Sequence, residues 1–128
     1  HVGDSRAYLV CRNKLSQVTT DHSLVNRLIE VGQITALEAK THSQRNVLYR
    51  ALGRDGELEV DTYLQPLTPR CSLLLCSDGL WGMVSEETIR SIVYTAPSPQ
   101  IACRRLVARA NKNGGRDNIT VVVVRIER

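Results

Sequence analysis

The alternation of apolar and polar residues changes period several times along the chain. "VGDSRAYLV" and "LSQVT" read as strands on either side of Arg12-Asn13-Lys14, which predicts a hairpin. "DHSLVNRLIEVG" then puts Leu24, Leu28 and Val31 at helical spacing and stops on Gly32, a residue type common just past a helix end. "TALE", Thr35 to Glu38, has capping-box spacing and predicts a second, short helix. Residues 21–46 therefore read as a small helical insertion between strands. "NVLYRALG" suits a strand or a short helix, and Gly53-Arg54-Asp55-Gly56 is a turn. "LEVDTYLQPL" alternates as a half-buried strand, and "CSLLLC" is short and apolar, as a buried strand would be. Ser85 opens a helix to about Thr95. Ser98-Pro99 opens another with proline at its first position; Ile101, Leu106 and Ala110 share one side of it, and Gly114-Gly115 ends it. "NITVVVVRIE" predicts a final strand, buried in its first half. Strands at both ends with a helix pair before the last give an α+β pattern.

At 128 residues the chain is one domain's worth, enough to bury roughly two-thirds of its unfolded surface. No uninterrupted apolar run approaches the roughly 18 residues of a membrane span, so no membrane segment is expected. There is no basic, apolar, then small-residue leader, and a cytoplasmic location is the expectation. The chain begins at His1 in strand-like sequence and its only methionine is Met83, which predicts a piece of a longer product. Cys11, Cys71, Cys76 and Cys103 form no C-x-x-C pair, so they read as small buried thiols of a reducing compartment rather than zinc ligands or a disulfide framework. The net charge is +4, and Arg104, Arg105, Arg109, Lys112 and Arg116 gather in one region. With no Phe to interleave for base stacking, this region reads as a solvated helix face, and no nucleic-acid partner is expected.

Three aspartates share a local grammar, each near glycine or a polar residue at a strand edge: Asp4 in "VGDSR", Asp78 in "CSDGL" and Asp117 in "GRDNIT". Singly, each reads as a turn former. If carboxylates from separate strands converge, their repulsion raises their pKa values unless a cation neutralises them, and oxygen-only ligands favour Mg or Mn over zinc. Periodicity does not show that they converge.

"VGDSRAYL", the stretch from "DHS" through "RNVL.RALG", "LLLCSDGLWGMVS" and "GGRDNITVVVV" resemble, in order and spacing, the C-terminal part of the metal-dependent protein phosphatases of type 2C, in their bacterial serine/threonine branch. The resemblance covers nearly all of the chain. It implies the C-terminal half of a four-layer α-β-β-α sandwich, two antiparallel sheets flanked by helices. It also implies hydrolysis of phosphoserine and phosphothreonine in proteins by a water activated at two Mn or Mg ions, acting on phosphoprotein substrates of a serine/threonine kinase. Residue by residue, Asp78 and Asp117 match ligands of one ion of the pair. Asp4 matches a ligand that binds a weaker third ion together with the position of Asp78. Residues 21–46 match a flap beside the site. The family's bridging aspartate and phosphate-binding arginine belong to its N-terminal part and have no match here, so this chain alone is expected to be inactive. His22 and His42 fall in the flap, where they read as packing or surface histidines. An alternative from another class is a non-catalytic regulatory or binding module of the same fold. Retention of the aspartates at 4, 78 and 117 argues against it.

Overall fold

The computed structural model describes residues 1–125, which form two compact units. The larger comprises Ser5–Thr19 and the described residues from Tyr63 onward. Its framework is a four-stranded antiparallel sheet in the order β2-β1-β3-β4, with β1 at Arg6–Val10, β2 at Leu15–Gln17, β3 at Ser72–Cys76 and β4 at Val121–Arg125. The predicted hairpin is present, closed by the Cys11 N–H donating to the Lys14 carbonyl at 2.8 Å. The central pairing is long-range: Arg6 lies opposite Cys76 and Val10 opposite Ser72. Alternation along these strands sends Tyr8, Val10, Leu74, Cys76 and Val123 to one face, where each is buried.

Two helices cover that face. Helix α4, Glu86–Thr95, is capped by the Ser85 hydroxyl accepting from the Thr88 N–H, and it buries Ile89 and Val93. Helix α5, Pro99–Lys112, has its proline in the first turn and buries Ala102, Leu106 and Ala110 at spacings of four. Arg125 at the end of β4 donates to the carbonyls of Val93 and Ala96, satisfying acceptors that the end of α4 leaves open. Arg104, Arg105, Arg109 and Lys112 take the exposed positions of α5. The opposite face of the sheet is also apolar, yet Leu75, Val122 and Val124 are 41%, 46% and 41% exposed. A sheet that is apolar on both faces is built to be covered on both.

The smaller unit comprises His1–Asp4 and Thr20–Thr62. It holds α1, Leu24–Glu30, and α2, Ala36–Ala39, with α2 closed by the predicted capping box between Thr35 and Glu38. Gly32 takes φ +72° just past α1, a conformation that glycine reaches without a Cβ clash. The unit runs on past the expected 21–46 to Thr62, and "NVLYRALG" contributes only a single bridge, Ser23 to Leu48.

Four expectations are corrected. The "LEVDTYLQPL" segment forms no strand: Leu58, Val60, Tyr63 and Leu64 are exposed, because no described strand pairs with it and an extended segment without a ladder partner is not held as a strand. Val121–Arg125 alternates between exposed positions and buried or partly buried ones instead of burying its first half, since helices cover only one face of the sheet. Ile126 and Glu127 lie outside the described residues. The turn expected at Asp78-Gly79 is one turn of helix, α3, Asp78–Trp81, anchored by the buried Leu80. Finally, Cys11 and Cys71 are not thiols but a disulfide, while Cys76 and Cys103 are free. The register explains the pairing: Cys11 follows Val10 and Cys71 precedes Ser72, so the β1–β3 ladder places the two cysteines opposite each other with Cα atoms 4.4 Å apart.

Candidate metal centre

Strand β3 delivers its chain to the site at Ser77. The β3–β4 register continues one residue past both strands, so Ser77 faces Thr120: the Ser77 N–H donates to the Thr120 carbonyl at 3.1 Å, and the Thr120 N–H donates to the Ser77 hydroxyl at 3.0 Å. That hydroxyl donates in turn to the Asn118 carbonyl at 3.2 Å. One serine thus staples the loop carrying Asp117 to the turn carrying Asp78. Two residues further on, the backbones touch: a Cβ on Gly79 would lie 2.2 Å from the Asn118 carbonyl oxygen, far inside van der Waals contact. Glycine is required here for close approach. Asp78 and Asp117 are each the residue that precedes one partner of this contact.

The two carboxylates are held differently. Asp117 is exposed and accepts from the Asn118 N–H at 2.6 Å, an arrangement that fixes its own loop. Asp78 is half-buried in the first turn of α3, where its carbonyl accepts from the Gly82 N–H at 2.8 Å. Among the described residues neither carboxylate forms an ion pair with a basic side chain. Position 81 steadies α3 from outside: the Arg6 guanidinium lies 3.7 Å from the centre of the Trp81 ring and donates to the Tyr8 hydroxyl at 2.8 Å. Burial pushes the Tyr8 phenol up to about 12, with Arg6 opposing, so the hydroxyl stays protonated.

The residues next to Asp78 and Asp117, Gly79 and Asn118, meet through their backbones; Asp4 belongs to the smaller unit, half-buried after the buried Gly3. Among the described residues no three His, Cys, Asp or Glu side chains close a metal site. The donor chemistry of Asp78 and Asp117 nonetheless fits a hard cation, since Mg is commonly held by one or two carboxylates while keeping several waters. Sequence reasoning did not find Ser77, Asn118 or the Arg6–Trp81 stack. Each acts across tens of residues, and no local pattern reports that.

No protein-family model matches the chain. Among curated proteins it is 45% identical over 124 residues to the serine/threonine phosphatase stp of Listeria welshimeri, covering 97% of this chain and 49% of that protein. It is similar to the crystal structure of the Mycobacterium tuberculosis serine/threonine phosphatase PstP/Ppp, with a TM-score of 0.92 and 40% identity over 100% of this chain and 54% of that one. The chain belongs to the type 2C protein phosphatase family. A further type 2C neighbour, the catalytic domain of PstP in complex with two manganese ions, aligns with a TM-score of 0.84 and 38% identity over 96% of this chain and 50% of that one. The chain spans about half the length of the curated relatives it matches. One sheet with helices on one face and an apolar open face opposite is half of the four-layer sandwich that the type 2C resemblance implied. Among the described residues no helix is long and apolar enough to cross a membrane.

Proposed function

We propose that residues 1–128 are the C-terminal half of a metal-dependent protein-serine/threonine phosphatase domain. The observation that carries this reading is the close backbone contact of Gly79 with Asn118, stapled by Ser77, next to Asp78 and Asp117, neither of which has a basic ion-pair partner among the described residues. The two manganese ions of the PstP structure support it from the side of the relatives. In this reading Asp78 and Asp117 hold one ion, Asp4 holds a weaker third ion, and residues 21–46 act as a flap. When bound, Mn or Mg supplies a water acidified enough to attack phosphorus in line with the departing seryl or threonyl oxygen. The chain's own residues set the geometry for this. Ser77 fixes the separation of the two loops, Gly79 lets them meet, and the Arg6–Trp81 stack keeps α3 from rotating the Asp78 carboxylate away.

The remaining cation ligands and the group that binds substrate phosphate come, in this proposal, from an N-terminal half that also covers the open sheet face. Substrates are phosphoproteins of a serine/threonine kinase, and the location is the cytoplasm, where the Cys11–Cys71 pair meets a reducing environment. The test uses the intact domain that carries these residues. It should hydrolyse phosphoserine and phosphothreonine peptides with Mn or Mg and stop in excess EDTA. Asp78→Asn and Asp117→Asn should each lower turnover by orders of magnitude and weaken Mn binding in calorimetry. Full activity in EDTA, or unchanged Mn affinity in Asp117→Asn, overturns the reading.

A further inference from the structure

His22 is 1% exposed, and its hydrogen bonds run to three parts of the smaller unit. Its backbone N–H donates to the Gly3 carbonyl at 2.9 Å, and the Gly3 N–H donates back to its Nδ1 at 3.2 Å. An Nδ1 that accepts puts the ring hydrogen on Nε2, which donates to the Asp61 Oδ2 at 2.8 Å. Asp61 is fixed in turn by Arg50, which donates to Oδ1 at 2.8 Å and reaches Glu59 at 3.0 Å with its other nitrogen. The His22 carbonyl accepts from the Tyr49 N–H at 3.0 Å. Both ring nitrogens are thus occupied, and the ring has one orientation. Gly3, at the other end of the reciprocal pair, takes φ +104°. Among the described residues, no heavy atom beyond its own and its chain neighbours' lies within 4 Å of where its Cβ would be, so glycine is needed there for backbone conformation and not for space. The next residue is Asp4.

We propose that His22 is a positioning residue for Asp4: by holding Gly3 from both sides in its left-handed conformation, it sets the direction in which the Asp4 carboxylate leaves the backbone. This rests on the reading of Asp4 as an ion ligand. A partner that orients a ligating group without touching the ion governs affinity by about 10- to 100-fold in other metal sites.

The experiment is calorimetric titration with Mn of the intact domain, beside thermal melting of each variant, with Asp4→Asn as reference for the step that Asp4 serves. In His22→Asn the side-chain amide occupies the place of Nδ1 and still accepts from Gly3. In His22→Gln the amide reaches the place of Nε2, keeps Asp61 and leaves Gly3 without its acceptor. His22→Gln should therefore weaken the Asp4-dependent step about tenfold or more, while His22→Asn stays within about threefold of the unsubstituted domain. A merely structural histidine would make affinity follow melting temperature instead. Gly3→Ala, which strains the backbone without touching His22, should weaken the same step and carries the test if His22→Gln does not fold. Unchanged Mn affinity in His22→Gln or Gly3→Ala, or equal loss in His22→Asn and His22→Gln, overturns the role of His22 alone. A titration with no Asp4-dependent step overturns the assignment of Asp4 and this inference with it.

Discussion

Gly79→Ala places one methyl group where the molecule has none to spare. The new Cβ would sit 2.2 Å from the Asn118 carbonyl oxygen, 2.9 Å from its carbonyl carbon and 3.3 Å from the Ile119 side chain. Two of the three atoms are backbone, so no rotamer change relieves the clash; one loop must retreat from the other by about 1 Å, and overpacking of this kind costs about 1–3 kcal/mol. Alanine's better helix propensity in α3 offsets at most about 1 kcal/mol of that. For a domain of 150–250 residues, a net loss of about 1–2 kcal/mol lowers the melting temperature by about 2–8 °C. The retreat also stretches the Ser77 staples at 3.0 and 3.2 Å and separates Asp78 from Asp117. Mn affinity of the intact domain should therefore fall more steeply than stability does, since disturbing the surroundings that orient metal ligands typically costs about 10- to 100-fold in affinity. Differential scanning calorimetry and Mn titration on the same preparation check both parts. A Gly79→Ala domain with unchanged melting temperature and unchanged Mn affinity would refute the argument that this contact builds the site.

Three further outcomes follow from other parts of the structure. Reducing the Cys11–Cys71 disulfide, which spans a sequence separation of 60, should lower stability by about 2–4 kcal/mol; a Cys11→Ser/Cys71→Ser variant should match the reduced protein and ignore reductant in thermal melts. Arg6→Met removes both the cation over Trp81 and the donor to the Tyr8 hydroxyl, and should cost about 1–3 kcal/mol in urea unfolding, whereas an unchanged midpoint would show the stack to be incidental. The His22 hydrogen bond first, and then the Arg50 guanidinium, hold the Asp61 carboxyl below its ordinary range. Its stabilising contribution is present above the unfolded carboxylate value and is lost as pH falls through the lower folded value, so Asp61→Asn should flatten the acid limb of a melting-temperature profile and leave the limb above neutrality unchanged in shape.

Local pattern determined much of this molecule. The hairpin about Asn13, the capping box at Thr35 and the proline-led α5 depend on contacts within a few residues, and such contacts are written in adjacent letters; β3 was legible from its short apolar run, although both its ladder partners are distant in sequence. "LEVDTYLQPL" shows the limit, because alternation establishes that a segment suits a sheet but not that a ladder partner exists. The cysteines show the same limit from the other side: Cys11 and Cys71 are poor candidates for pairing by spacing, and only the β1–β3 register makes them neighbours. The sequence marked Asp4, Asp78 and Asp117 by their glycines and their motifs. That the neighbours of Asp78 and Asp117 meet in one backbone contact was decided by Ser77 meeting Thr120, a pairing at the end of a register set along the whole β3–β4 ladder. His22 read as a packing histidine, and its chemistry was equally illegible: the groups that occupy its two nitrogens, Gly3 and Asp61, lie 19 and 39 residues away. Hydrogen bonds and van der Waals contacts act over a few ångströms of space, and only the folded backbone determines which distant residues fall within that range.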